Sequence, residues 1–174
     1  MRQSRKDHRE EDEKKVLSEL MKNSKENIET IAKHCGFSRQ KAWRIIKQLE
    51  TDQKIWGYSV ALDNEKQDLE KFMLFVKRTK TQHNQNDIDE IVQNLLAAVK
   101  KDLGVTVISS YFIHGEYDWV LIFTAKDIRD AKKFSETMML KFPGKQLVHI
   151  SQILYTVREN YIRNPNILTM KEFI

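Results

Sequence analysis

The sequence predicts an α+β chain built from two modules, an N-terminal helix-turn-helix (winged-helix-like) domain and a C-terminal ferredoxin-like βαββαβ domain. Three observations predict it. Between residues 11 and 52, apolar side chains recur at helical spacing in three short segments separated by caps and breakers. Between residues 71 and 158, β-prone runs and two long amphipathic stretches follow the order β-α-β-β-α-β. The two regions are joined by Asp63-Asn64-Glu65-Lys66-Gln67-Asp68, which has the polar composition of a linker. The expected division is a flexible N-terminal arm over 1–10, the helix-turn-helix domain over 11–62, a linker over 63–70, the ferredoxin-like domain over 71–158 and a C-terminal tail over 159–174.

In the first module, Glu11–Asn23 reads as a helix with Val16, Leu17, Leu20 and Met21 on its apolar stripe. Glu11, Asp12 and Glu13 suit its positive N-terminal end. Asn27 is a good N-cap for a second helix in which Ile28, Ile31 and Ala32 repeat until Cys35-Gly36, where glycine supplies a left-handed turn. Ser38 caps a third helix that runs to about Asp52. Ala42, Ile45, Ile46 and Leu49 share one of its faces, while Gln40, Trp43, Arg44 and Lys47 share another. Lys54–Val60 is β-prone. Arg2, Arg5, Lys6 and Arg9 are expected to lie in a frayed terminus rather than in an arm that reaches a partner.

In the second module, Phe72–Val76 is a strand and Asp87–Asp102 a helix with Ile88, Ile91, Val92, Leu95, Leu96 and Val99 on its apolar face. Val105–Ile113 and Trp119–Ala125 are strands joined by the polar turn His114-Gly115-Glu116-Tyr117-Asp118. Ile128–Phe142 is a second helix, stopped by Pro143-Gly144, and Leu147–Val157 a last strand. This order makes an antiparallel sheet with both helices on one face. The other face must be covered, and a partner chain would do it.

Composition narrows the function. At 174 residues, 40% apolar and 32% charged, the chain is long enough to bury a core and too apolar for extended disorder. Its apolar runs are a few residues long and its charged start is unlike a signal peptide, so a cytoplasmic location is expected. One cysteine, Cys35, makes neither an internal disulfide nor a thiolate metal site. The glycines at 36, 57, 104, 115 and 144 are never closer than 11 residues, which excludes G-x-G-x-x-G and P-loop spacings. No H-E-x-x-H pair and no G-x-S-x-G elbow occur. The sequence thus implies no catalytic residues, metal or cofactor.

The charge is uneven. Residues 1–60 carry 14 Lys/Arg against 10 Asp/Glu, a net +4 of the chain's +5. Within them, Ser38–Gln48 holds Arg39, Lys41, Arg44 and Lys47 and no acid. A charge run alone is often only a solvated helix face. Here it lies on the second helix of a helix-turn-helix, the element that enters the major groove, which points to double-stranded DNA. Arg39, Gln40, Lys41 and Arg44 are the candidates for bases and nearby phosphates, and Ser38 and Lys47 mainly for phosphates. Trp43 is expected to pack against a neighbouring element rather than to stack on nucleic acid.

With these residues laid out, the chain resembles the Lrp/AsnC, or feast/famine, family of transcriptional regulators from about Glu11 to Arg158. The resemblance rests on I-E-T-I-A-K-H-C-G-F-S (28–38), K-Q-L-E (47–50), I-W-G-Y-S-V-A-L-D (55–63), H-G-E-Y-D (114–118) and F-P-G (142–144). The sequence departs from the family pattern at Lys145, at Ser151 and at Ile45, where the recognition helix often carries a basic residue. The resemblance implies a sequence-specific DNA-binding regulator that dimerises through the second domain and assembles dimers into octamers, with small effectors, commonly amino acids, bound near the G-E-Y-D turn. By that match Gly115, Glu116, Tyr117 and Asp118 are candidate effector contacts, and a Gly-x-x-Asp turn that simply closes a hairpin is the alternative for the same four residues. Siroheme decarboxylases resemble the same scaffold. An enzyme of that kind would need basic or histidine side chains converging on a carboxylated macrocycle, with His114 or His149 among them. A third reading is a ligand-binding or assembly module without DNA.

Overall fold

The computed structural model describes residues 2–79, 103–141 and 145–173. The chain divides into two compact units, Met1–Ala61 with Val157–Ile167, and Leu62–Thr156 with Leu168–Ile174.

The first unit holds α1 (Arg2–Lys22), α2 (Ile28–Cys35) and α3 (Arg39–Thr51). α1 begins well before the expected Glu11, so residues 2–10 are helical rather than a flexible arm. The apolar stripe stops at Val16, but the preceding Arg, Gln, Lys and Glu residues are strong helix formers, and Arg9 pairs with Glu13 across one turn at 3.0 Å. α2 starts as the sequence requires, with the Asn27 side chain accepting from the Thr30 N–H at 2.9 Å. It stops at Gly36, whose φ of +71° lets the Gly36 and Phe37 N–H groups close onto the carbonyls of Lys33 and Ala32. Ser38 then caps α3 by accepting from the Lys41 N–H at 3.2 Å. Val16 and Leu20 of α1, Ile31 and Cys35 of α2 and Leu49 of α3 form the buried cluster, with Ile45, Ile46 and Phe37 packed on it. Burial pushes the Cys35 thiol up.

After α3 the Lys54 and Ile55 N–H groups both donate to the Leu49 carbonyl, wrapping the chain over the helix end. The β-prone Lys54–Val60 segment that follows is not a strand. β-propensity needs a ladder partner, and among the described residues this segment has none; Trp56 stands 96% exposed. Val157–Ile167 contributes the hairpin β5 (Arg158–Glu159) and β6 (Ile162–Arg163), turned at Asn160 and Tyr161 with φ of 46° and 45°.

The second unit is a four-stranded antiparallel sheet of β1 (Glu70–Thr79), β2 (Thr106–Phe112), β3 (Trp119–Ala125) and β4 (Lys145–Ile153), in the order β2-β3-β1-β4. α4 (Ile128–Lys141) packs on one face. This is the ferredoxin-like order. The linker forms a 3-10 turn at Glu65–Gln67, and β1 starts at Glu70, two residues before the expected Phe72. The last strand ends at Ile153 rather than Val157, and the tail finishes in a 3-10 helix over Ile167–Phe173. The helix expected over Asp87–Asp102 and the Pro143-Gly144 break lie outside the described residues.

Strand alternation sorts the sheet into two faces. Phe72, Leu74 and Val76 of β1 and Trp119, Leu121, Phe123 and Ala125 of β3 bury against Ala131, Phe134 and Met138 of α4. The ring of Phe123 stacks on Phe72 at 5.5 Å and meets the edge of Phe134 at 4.6 Å. The opposite face carries Met73 and Phe75, paired in register with Ser151 and His149 of β4 and with Ile122 and Val120 of β3. Tyr111, opposite Val120, is 52% exposed on that face. Among the described residues no helix is long and apolar enough to cross a membrane.

Candidate nucleic-acid interface

α3 is the second helix after the Gly36 turn, and its two faces divide as the periodicity requires. Ala42 and Leu49 are fully buried, and Ile45 and Ile46 pack on the same core. Ile45, one of the departures from the family pattern noted above, is partly buried against that core. Ser38, Arg39, Gln40, Trp43, Arg44 and Lys47 are all exposed, and Lys41 is half-buried. The structure therefore brings the six candidate DNA-contacting side chains together on α3 and its N-cap, five of them open to solvent.

Their electrostatics are less uniform than the sequence suggested. Arg39 Nε meets Glu29 Oε1 at 2.8 Å, and Lys47 Nζ meets Glu50 Oε2 at 2.7 Å. Lys41 Nζ reaches Asp12 of α1 at 2.6 Å and sits 4.0 Å above the Phe37 ring centroid. Lys41 is thus a strut between α1 and α3 as well as a surface cation. Arg44 has no ion-pair partner among the described residues. The Ser38 hydroxyl spends one lone pair on the cap and keeps its proton for an outside acceptor. The pairs on Arg39 and Lys47 are exposed, so water and salt screen them and they add little to stability.

The acids around α3 are also held in place. Lys47 and the Tyr58 hydroxyl, which donates at 2.9 Å, hold Glu50 below the usual carboxylate range. Burial, and then that same bond, pushes Tyr58 up to about 12. Glu13 is buried and binds Lys54 at 2.5 Å and Arg9 at 3.0 Å; the Lys54 bond holds its carboxyl low against the opposing effect of burial. Arg9 also reaches Asp52 at 3.6 Å, so one acid-base cluster ties α1 to the end of α3. Rather than lying in a frayed terminus, as its sequence position suggests, Arg9 fastens α1. Sequence spacing gave no sign of this cluster, because Glu13 and Lys54 are 41 residues apart.

Trp43 corrects the expectation of packing. It is 55% exposed, and among the described residues its ring stacks on no other and its indole N–H meets no acceptor. The inward sector of α3 is already filled by Ala42, Ile45, Ile46 and Leu49, which leaves the indole on the basic side.

The second candidate site, Gly115–Asp118, forms the turn between β2 and β3. The Ile113 N–H donates to the Asp118 carbonyl and the Asp118 N–H to the Val76 carbonyl, both at 2.9 Å. Gly115 and Glu116 are exposed. Tyr117 folds back on the sheet, its ring 5.1 Å from Phe75 and edge-on to His149 at 5.7 Å. The turn-closing role is therefore visible, and Tyr117 has a packing role besides. His114 is exposed in the same turn. Among the described residues no group of three or more His, Cys, Asp or Glu side chains is placed to hold a metal.

Comparison with known proteins bears out the resemblance read in the sequence. No protein-family model matches the chain. A curated relative, the leucine-responsive regulatory protein of Haemophilus influenzae, is 24% identical over 157 residues, covering 90% of this chain and 87% of the relative. An AsnC family transcriptional regulator from Agrobacterium tumefaciens shares the fold with a TM-score of 0.65 at 20% identity, covering 94% of this chain and 98% of its own. A transcriptional regulator from Neisseria meningitidis, solved as a complex with L-Met, has a TM-score of 0.65 at 21% identity over 90% of this chain and 97% of its own. A feast or famine regulatory protein from M. tuberculosis, complexed with L-methionine, has a TM-score of 0.68 at 16% identity, over 87% and 96%.

Proposed function

We propose that this chain, which resembles the Lrp/AsnC regulators in sequence and has their fold, is a sequence-specific DNA-binding transcriptional regulator and not an enzyme. One observation carries the reading: α3 presents Arg39, Gln40, Arg44 and Lys47 on a solvent face that the core does not use. Residues 11–62 are the DNA-binding domain and 71–158 the dimerisation and effector domain. α3 of each protomer enters the major groove of a half-site. Arg39, Gln40, Lys41 and Arg44 contact bases and adjoining phosphates, while Ser38 and Lys47 contact phosphates. The dimer holds two such helices one or more DNA turns apart, about 34 Å per turn.

The sheet face opposite α4 supports the dimer. It leaves Tyr111 and Leu147 52% and 50% exposed beside Phe75 and Met73, an apolar surface that a second copy would cover. Dimers of this kind assemble further into octamers by the resemblance. The complexes of two similar structures with methionine support an amino-acid effector here, taken up near Gly115, Glu116, Tyr117 and Asp118. Such a regulator works in the cytoplasm.

The test is fluorescence anisotropy on duplexes selected from a randomised pool by the full chain, in a salt series against a scrambled duplex. Sequence-selective binding that weakens with salt supports the regulator. Absence of any selective duplex, with turnover of siroheme, would replace it by the decarboxylase. L-methionine added to the bound complex should change the affinity, more weakly in Asp118→Asn.

A further inference from the structure

We propose that Trp43 is a base-reading residue of α3, its indole packing on the C5-methyl of a thymine in the major groove. This rests on the DNA-binding reading above and assigns within it the residue that reads A·T pairs.

The position of Trp43 on α3 is the first ground. Arg39, Gln40, Trp43, Arg44 and Lys47 follow one another at helical spacing, so the indole sits at the centre of the exposed stripe, one turn from Gln40 and one from Lys47. The second is its isolation: 55% exposed, with no internal ring or acceptor partner among the described residues, although Ala42 beside it is fully buried. The third is the chemistry of its surroundings. Arg39 and Lys47 already carry acids at 2.8 and 2.7 Å, and Lys41 is drawn toward Asp12. Cations held in this way are already oriented toward anions, which suits them to phosphates as well as to bases, and phosphate contacts carry no sequence information. Among the described residues, Gln40, Arg44 and Trp43 stand at the centre of the face with no ion-pair or hydrogen-bond partner. Arg and Gln read the hydrogen-bonding edges of guanine and adenine, and the one apolar group on the floor of the major groove is the thymine methyl. A flat apolar side chain on a charged stripe fits that group.

The test uses the full chain and a duplex selected from a randomised pool, together with the same duplex in which each thymine of the half-sites is replaced in turn by deoxyuridine, which removes only the methyl. Trp43→Ala lies on an exposed position and should leave the melting temperature unchanged. Wild type should lose affinity several-fold at one deoxyuridine position. Trp43→Ala should bind the thymine duplex about tenfold more weakly, and the two losses should not add, since one contact cannot be lost twice. Protection of tryptophan emission from acrylamide on DNA binding, absent in Trp43→Phe at equal saturation only if the protected ring is residue 43, gives an independent readout. If Trp43→Ala binds as wild type while Arg44→Ala is weakened, Trp43 is no reader, and the DNA-binding reading stands without it. If Trp43→Ala loses affinity equally with and without every methyl, the thymine contact is overturned. If the wild-type chain selects no duplex at all, the DNA-binding reading itself fails.

Discussion

Two cations of α3 that look alike in sequence should differ in what their truncation does to stability. Arg44 is exposed with no ion-pair partner among the described residues, so Arg44→Ala should change stability by no more than about 0.5 kcal/mol. If its guanidinium reads a base, the same change should cost about 1–3 kcal/mol of specific binding, or about 5- to 150-fold in Kd. Lys41 is tied to Asp12 at 2.6 Å and lies 4.0 Å over the Phe37 ring. Truncating it removes a surface ion pair and a cation–π contact, together about 1–2 kcal/mol of stability. Urea unfolding reads the first quantity, and anisotropy on the selected duplex reads the second. Equal affinity of Arg44→Ala and wild type for the cognate duplex would refute the assignment of Arg44. Unchanged stability of Lys41→Ala would refute the strut between α1 and α3.

Glu13→Gln should destabilise the first unit by about 1–3 kcal/mol at neutral pH, because it removes the negative charge that Lys54 and Arg9 share and turns an amide NH2 donor toward one of the two cations. Since the folded carboxyl lies below 4.5, that contribution is present above pH 4.5 and disappears as the pH falls through the lower folded value. The melting-temperature gap between wild type and Glu13→Gln should therefore close in acid, and a gap independent of pH would contradict the ion-pair account. Gly36→Ala meets no atom within 4 Å but must hold a φ of +71°, and should cost about 1–2 kcal/mol in urea unfolding. Tyr111→Asp places a carboxylate on the open sheet face; if a second copy covers that face, light scattering should show monomers where wild type gives dimers or larger assemblies.

Most of this architecture was legible because it depends on local signals. Asn27, Gly36 and Ser38 each cap or stop a helix with the hydrogen bonds their residue types favour, and the alternation in β1 and β3 places Phe72, Leu74, Leu121 and Phe123 inward. Elsewhere the structure depends on contacts that local signals do not encode. Residues 2–10 have no apolar period, so propensity and the Arg9–Glu13 pair decide their helix. Lys54–Val60 has strand composition but no ladder partner among the described residues, and pairing is a property of two segments. At the candidate interface the spacing put the right residues on one face, yet it said nothing of Glu29, Asp12 and Glu50 meeting those cations. Trp43 departs from expectation because an aromatic on a helix edge usually finds a neighbour, and here Ala42, Ile45, Ile46 and Leu49 fill the inward sector.

The account stands or falls on whether α3 binds DNA selectively. The direct measurement is the Kd of the full chain for a selected duplex and for its scrambled counterpart across a salt series, with Arg44→Ala in parallel. A DNA-reading α3 gives tighter binding to the selected duplex, a steep fall in both affinities with salt, and a loss in Arg44→Ala confined largely to the selected duplex. Equal affinity for the two duplexes, or binding indifferent to salt and to Arg44, would contradict it.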